Sequence, residues 1–407
     1  MARAERTPAP QSGSATGRSG SAAKSAPTSG RSGSATKSAA RRAVDRSAPS
    51  LLSLSHRIHA EPEVGFEERQ AAAWLGEALA EAGYAVTAGA CELPTGFVAT
   101  AGDGPLTVAI CAEYDALPGI GHACGHNIIA ASAVGAAIGL RDLADDLGLT
   151  VRIVGTPAEE GGGGKILMLE RGAFDGAAAA LMIHPSPRDV LRPPMLAVAH
   201  LLVSYAGRAA HASAHPEEGL NAADAITVAQ VGLGLLRQHL RDGDRIHGIV
   251  RHGGDAANVV PARTTYELYL RATDLAALDR LRPRAQGCLE AGALATGCSL
   301  SVDEPSGVYA EVRHDPRLSE SFGANARRLG RRMAETGDPR LAASTDMGNV
   351  SQVVPSIHPL LSFDTGGASN HQPAFAAACA GPSADALIVE AATLLAWTAI
   401  DLAGGAA

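Results

Sequence analysis

Residues 106–127 read Leu-Thr-Val-Ala-Ile-Cys-Ala-Glu-Tyr-Asp-Ala-Leu-Pro-Gly-Ile-Gly-His-Ala-Cys-Gly-His-Asn, and an alanine-rich run follows over 128–140. The apolar stretch 106–112 predicts a buried strand, and the run 128–140 predicts a helix. Between them lies a bent loop with one proline and three glycines. In open α/β sheets, ligands collect in such loops, at the carboxyl ends of strands.

Outward from that loop the same alternation continues. Short apolar runs at 151–154 and 178–183 predict further strands, and 51–59, 67–82 and 384–402 predict helices. Strands alternating with helices mean an α/β sheet. The middle differs. Strand 196–205, helix 220–240, strands 246–250 and 264–271, helix 275–291 and strand 299–302 make the ferredoxin-like β-α-β-β-α-β order. The expected organisation is a catalytic domain in two pieces, 48–195 and 309–407, with a smaller α+β domain, 196–308, inserted between them.

The chain has 407 residues, 46% of them apolar and 3% aromatic, so aliphatic and alanine packing must fill the cores. No run of 18 or more apolar residues suggests a membrane span. The net charge is −8, but residues 1–46 carry nine basic side chains against Glu5 and Asp45, leaving a strongly acidic body. An acidic body argues against nucleic-acid binding. The stretch 1–47, rich in Ser, Ala, Gly and Thr, is expected to be a disordered basic leader. Six cysteines without a paired framework point to a reducing, cytoplasmic setting.

The loop carries Cys124 and His126, two apart, as soft donors for a zinc-like metal. Asp115 stands ready to orient a ligand. Alone, this loop reads equally well as one buried thiol beside solvated imidazoles. A second cluster, Thr156-Pro157-Ala158-Glu159-Glu160 followed by four glycines, sits at the end of strand 151–154. Adjacent carboxylates repel unless a cation or a proton compensates. One can bind metal while the other serves as general base. Lys165 follows the glycines, but a phosphate loop is rejected: its first glycine would fall on Glu159, and Ile166 replaces Ser/Thr. His184 follows strand 178–183, and His371 lies in Gly366-Gly367-Ala368-Ser369-Asn370-His371. Cys124, His126, Glu160, His184 and His371 make an inventory for two metals sharing one bridge.

These segments, with Ser344-Thr345-Asp346-Met347-Gly348-Asn349-Val350-Ser351, resemble peptidase family M20. That family of co-catalytic metallopeptidases includes aminoacylase, glutamate carboxypeptidase and the amino-acid-conjugate amidohydrolases. The likeness spans roughly 50–400 and is nearest the aminoacylase-like dipeptidase and aminobenzoyl-glutamate hydrolase branch. It implies two divalent ions, zinc or manganese, on Cys124, His126, Glu160, His184 and His371, with Cys124 bridging. Glu113 is a weaker ligand candidate. Glu159 would be the general acid/base. His211, in Gly207-Arg208-Ala209-Ala210-His211, resembles the lid histidine that stabilises the tetrahedral intermediate. Asn258 resembles a substrate-contacting lid residue, and Arg271 is a candidate grip for a substrate carboxylate. The family also implies a homodimer through the lid. Asn127 departs from the Asp common in conjugate amidohydrolases, and Gln-Pro follows His371 in place of Thr-Pro or Thr-Glu.

The expected activity is hydrolysis of a dipeptide or N-acyl amino acid by a metal-activated water. The alternatives are an aryl-amide or acyl-conjugate amidohydrolase, or a non-catalytic metal-stabilised binding protein.

Overall fold

The computed structural model describes residues 33–405. Helices α1 (Gly33–Ala60) and α2 (Arg69–Glu81) lead into strands β1 (Ala85–Ala88), β2 (Phe97–Ala101) and β3 (Leu106–Glu113). Then come α3 (His126–Arg141), β4 (Leu149–Thr156), α4 (Gly164–Glu170) and β5 (Ala177–Leu181), followed by the short β6 (His184–Ser186) and β7 (Val190–Arg192). Residues 108–113 of β3 are all buried, because its sheet is covered on both faces. Helix α3 is buried almost all round for the same reason.

The next stretch forms a separate antiparallel sheet from β8 (Ala197–Ala206), β9 (Arg245–His252), β10 (Arg263–Ala272) and β11 (Ser299–Asp303), with α5 (Ala222–Leu236) and α6 (Leu275–Thr296). Its strand order β11-β8-β10-β9 is what the ferredoxin-like pattern requires. Strand β10 alternates exposed or half-buried with buried residues along its length, and Thr264, Tyr266, Leu268, Leu270 and Ala272 are the buried set. The chain then returns through β12 (Val308–Tyr309), α7 (Pro316–Arg328), β13 (Ala334–Thr336), α8 (Met347–Ser351), β14 (Ser356–Ile357), β15 (Leu360–Ser362), α9 (Pro373–Ala378) and α10 (Pro382–Ala403).

The main sheet runs β1-β2-β4-β3-β5-β14 and is mixed. Strands β4, β3, β5 and β14 are parallel, while β1 and β2 are antiparallel additions. A smaller mixed sheet, β13-β7-β15-β6, flanks it and carries His184 at the start of β6. The fold is thus mixed α/β. Its buried apolar residues fall into two clusters, one within 197–298 and the other from the flanking pieces.

One expectation is corrected. Residues 33–47 are not a disordered leader but the first half of α1, with Lys37, Ala40 and Val44 buried. The face continues through Leu51, Leu54 and Ile58 at helical spacing. Few large apolar residues mark it, because α1 packs closely on small ones. A Cβ added at Gly139 of α3 would lie 3.0 Å from Val44 and 3.4 Å from Ala396. The Lys37 ammonium donates to Asn325 Oδ1 at 2.7 Å and pairs with Asp401 at 2.5 Å. Residues 1–32 of the expected leader lie outside the described residues.

Helix α10 has the length and apolarity of a membrane span, which the run-length reading did not anticipate. Two-thirds of its apolar window is buried against the rest of the protein, so it is a core helix.

Candidate metal centre and active site

The site forms where β3, β4 and β5 end, as the position of the 113–127 loop predicts. Five sequence-predicted ligands meet there. Cys124, His126 and His184 offer donor atoms within 4.8 Å of one another, and so do Cys124, Glu160 and His371. Cys124 is common to both groups. A further group joins His126, Glu159 and Glu160.

Local structure holds each donor. Asp115 is in contact with His126: the His126 Nδ1–H donates to its backbone oxygen at 2.8 Å and meets Oδ1 at 3.0 Å. This leaves His126 Nε2 facing the centre. Asp115 Oδ2 also accepts the Glu160 N–H at 2.9 Å, so one carboxylate fixes two of the candidate ligands. His184 Nδ1–H donates to Pro185 O at 2.8 Å, which frees Nε2. The His371 N–H donates to Ala123 O at 2.9 Å, and its Nε2 stands 3.6 Å from Glu160 Oε1. Ala158 and His371 both adopt positive φ, at 54° and 68°. Such strain in non-glycine residues gathers at sites where geometry matters more than local comfort.

The electrostatics fit a cation. Buried His126 Nε2 and Glu160 Oε1 have no hydrogen-bond partner. Buried polar atoms rarely stay unpaired, and a metal ion would satisfy both. Burial opposes charge on His126, but Asp115, first by attraction and then by its hydrogen bond, holds the imidazole well above its usual range. Burial, then repulsion from Glu113 and Glu160, pushes Glu159 well up. Burial, then Glu160, pushes the Cys124 thiol up. The excess of carboxylates thus retains protons that a divalent ion would displace. Burial, the largest influence, lowers His184 to about 4, so it is neutral at physiological pH and ready to ligate. The donors, one thiolate, three imidazoles and a carboxylate, suit a transition-metal-like divalent ion.

Other predicted residues lie elsewhere. His211 and Asn258 are neighbours: His211 pairs with Val259, and the Ala212 N–H donates to Asn258 O at 3.0 Å. Both are exposed and make no hydrogen bond to the ligand groups among the described residues. Arg271 on β10 donates to His247 Nε2 at 3.1 Å and to Ser344 Oγ at 2.7 Å, tying the inserted sheet to the catalytic piece. Glu113, the weaker ligand candidate, is divided: its Oε2 stands 3.4 Å from His126 Nε2, while its Oε1 pairs with Lys165 Nζ at 2.5 Å.

Sequence reasoning missed Glu68, whose buried Oε1 accepts the Ala158 N–H at 2.7 Å, just before Glu159. It missed Tyr309, whose hydroxyl donates to Glu159 O at 3.0 Å. It also missed the pairing of Lys165 with Asp346 at 2.7 Å. Only the last had a signal: both residues lie in segments already singled out.

A donor set of this kind, running from buried Cys124 and His126 to exposed His371 beside the Glu159 carboxylate, is that of a metal-dependent hydrolase of amide bonds. Residues 109–391 match peptidase family M20/M25/M40, and the chain belongs to that family. It is 37% identical over 382 residues to the Xaa-Arg dipeptidase of Mus musculus, covering 89% of this chain and 88% of that protein. It is 33% identical over 275 residues to a p-aminobenzoyl-glutamate hydrolase of Escherichia coli (strain K12), covering 62% of this chain and 57% of that protein. Among solved structures, the aminobenzoyl-glutamate utilization protein from Klebsiella pneumoniae superposes with a TM-score of 0.72 at 21% identity, covering 88% of this chain and 97% of that one. A dinuclear metal-binding M20 peptidase of Bacillus subtilis gives 0.67 at 21% identity, covering 88% and 99%. At such identities the superpositions speak for the fold alone.

Proposed function

We propose that this chain is a dinuclear-metal dipeptidase that cleaves the amide bond before a basic C-terminal residue. The observation that carries it is the sharing of Cys124 between two ligand groups, with Glu159 beside them. His126 and His184 would hold one ion, Glu160 and His371 the other, and Cys124 would bridge. The thiolate suits zinc, and manganese is the other ion that the family likeness implies. Bound there, such ions supply Lewis acidity and lower the pKa of water.

The residues do the rest. Glu159 takes a proton from the attacking water and returns it to the leaving amine. Asp115 keeps His126 in the tautomer that ligates. Among the described residues no carboxylate pairs with Arg271, so its guanidinium is open to a substrate carboxylate. The inserted domain serves as lid, and His211 donates to the developing oxyanion. His211 and Asn258 are exposed within the subunit, which leaves them open to act on the partner subunit of a homodimer. Strand β9 is an exposed edge with Ile249 and Val250 open, α5 exposes Val231 and Leu235, and these apolar residues support such an interface. The names of the relatives and the acidic body favour a basic substrate residue. The six cysteines are free, in keeping with the cytoplasm.

An amine-release assay tests this. Metal-reconstituted protein should turn over dipeptides ending in Arg or Lys faster than N-acyl amino acids or aminobenzoyl-glutamate. Glu159→Gln should lower kcat about 10³-fold at unchanged metal content. Preference for aminobenzoyl-glutamate would favour the conjugate amidohydrolase reading. Full metal content with no turnover of any amide would favour a binding protein.

A further inference from the structure

Lys165 is the feature the mechanism above does not use. It opens α4 after four glycines, and its side chain is fully buried. Its Nζ lies 2.5 Å from Glu113 Oε1 and 2.7 Å from Asp346 Oδ1. Its backbone N–H donates to Asp346 Oδ2 at 2.8 Å. One residue therefore joins three separate segments: the end of β3, the loop behind Glu159 and Glu160, and the start of α8.

The carboxylates around it form a set of their own. Glu113, Glu159 and Asp346 each bring an oxygen within 4.8 Å of the others, and all three are buried. Three oxygens so placed are a donor set for a hard divalent cation. Glu113 Oε2 lacks a hydrogen-bond partner and faces His126 Nε2 at 3.4 Å, so this set adjoins the metal centre directly. Left alone, three such anions would repel one another or draw in a metal. The Lys165 ammonium already lies among them, against both Glu113 and Asp346.

We propose that Lys165 is a positioning residue, a tethered cation that fills an all-carboxylate site beside the metal centre and so keeps Glu159 clear of metal. The proposal rests on Glu159 being the proton carrier. An amine on a chain cannot be exchanged for a metal ion from solution, so the site is closed permanently. Glu159 then keeps its oxygens for water and the leaving amine.

The test compares wild type with Lys165→Met, Lys165→Arg, Asp346→Ala and the double variant Lys165→Met/Asp346→Asn. Manganese binding is measured by equilibrium dialysis with elemental analysis, kcat and KM are measured on the best dipeptide, and folding is checked by circular dichroism. Lys165→Met is expected to bind one more equivalent than wild type. The double variant should lose that equivalent, and Lys165→Arg should not gain it. In Lys165→Met kcat should fall about 10²-fold with KM little changed, the signature of a misplaced proton carrier. A folded Lys165→Met that binds no extra metal overturns the proposal. Should that variant not fold, Asp346→Ala decides: it retains Lys165 but loses one anchor, and an unchanged kcat overturns the proposal. The wild-type count separately tests the dinuclear reading. The difference of one equivalent between wild type and Lys165→Met decides the role of Lys165 whatever that count is.

Discussion

Glu159 and Glu160 are adjacent, yet their surroundings separate them. The Glu160 N–H is fixed by Asp115, and its side chain reaches toward His371, while Glu159 sits among Glu113, Asp346 and Lys165. Because His126 and Cys124 are pushed up, metal loading must displace protons. The apparent metal affinity should therefore rise with pH. Calorimetry in two buffers of different ionisation enthalpy should show net proton release on binding, and equal heats would contradict it. Glu68 gives a stability prediction. Burial, the main cause, raises it from 4.5 to about 7. Between those values the unfolded chain has lost the proton and the folded chain keeps it, so stability falls as pH rises through that window. Glu68→Gln cannot ionise and still offers an oxygen to the Ala158 N–H. Its Tm should gain on wild type from pH 4.5 to about 7 and hold level above. A pH-independent difference would sink this account.

At the scale of elements, most of the architecture was legible. Strand β3, helix α3 and all six elements of the inserted sheet fall within a few residues of their expected bounds. Their apolar periodicity survives because each packs one face or is wholly buried. Helix α1 escaped because its buried face is built from Thr36, Ala40 and the Lys37 stem, which look like a solvated tail. The turn before α4 was legible only as glycines. A Cβ at Gly164 would sit 1.8 Å from Pro157 O, so the Glu159 loop and α4 touch through backbone. Gly164→Ala should cost about 1–3 kcal/mol in urea unfolding and lower kcat together with it. Normal kcat in a destabilised variant would show that the loop position does not matter to catalysis.

The whole molecule adds two expectations. Removal of residues 33–47 should lower Tm sharply, because it strips Val44 from α3 and leaves the buried end of Asp401 without Lys37. Trp397 also loses the Lys37 carbonyl that its indole N–H donates to at 2.7 Å. An unchanged melting curve would mean that α1 begins functionally at Leu51. Ile249→Lys, on the open β9 edge, should yield monomers by sedimentation and lose turnover with metal content intact. An active monomer would place His211 in cis.

The sequence by itself determined the alternation of strands and helices, the β-α-β-β-α-β order of the middle stretch and the five candidate donor residues that the fold brings together, because periodicity and strand-end loops are local properties. The pairing of Asp115 with His126 was legible as well, since the two lie eleven residues apart on one loop. Only the tertiary structure decided that Glu113 serves Lys165, that Glu68 and Tyr309 brace the Glu159 loop, and that 33–47 is core. Each of these is a contact between segments roughly 50 to 360 residues apart. No local pattern encodes such a meeting, because burial of a charged or small side chain is set by whatever the rest of the fold places against it.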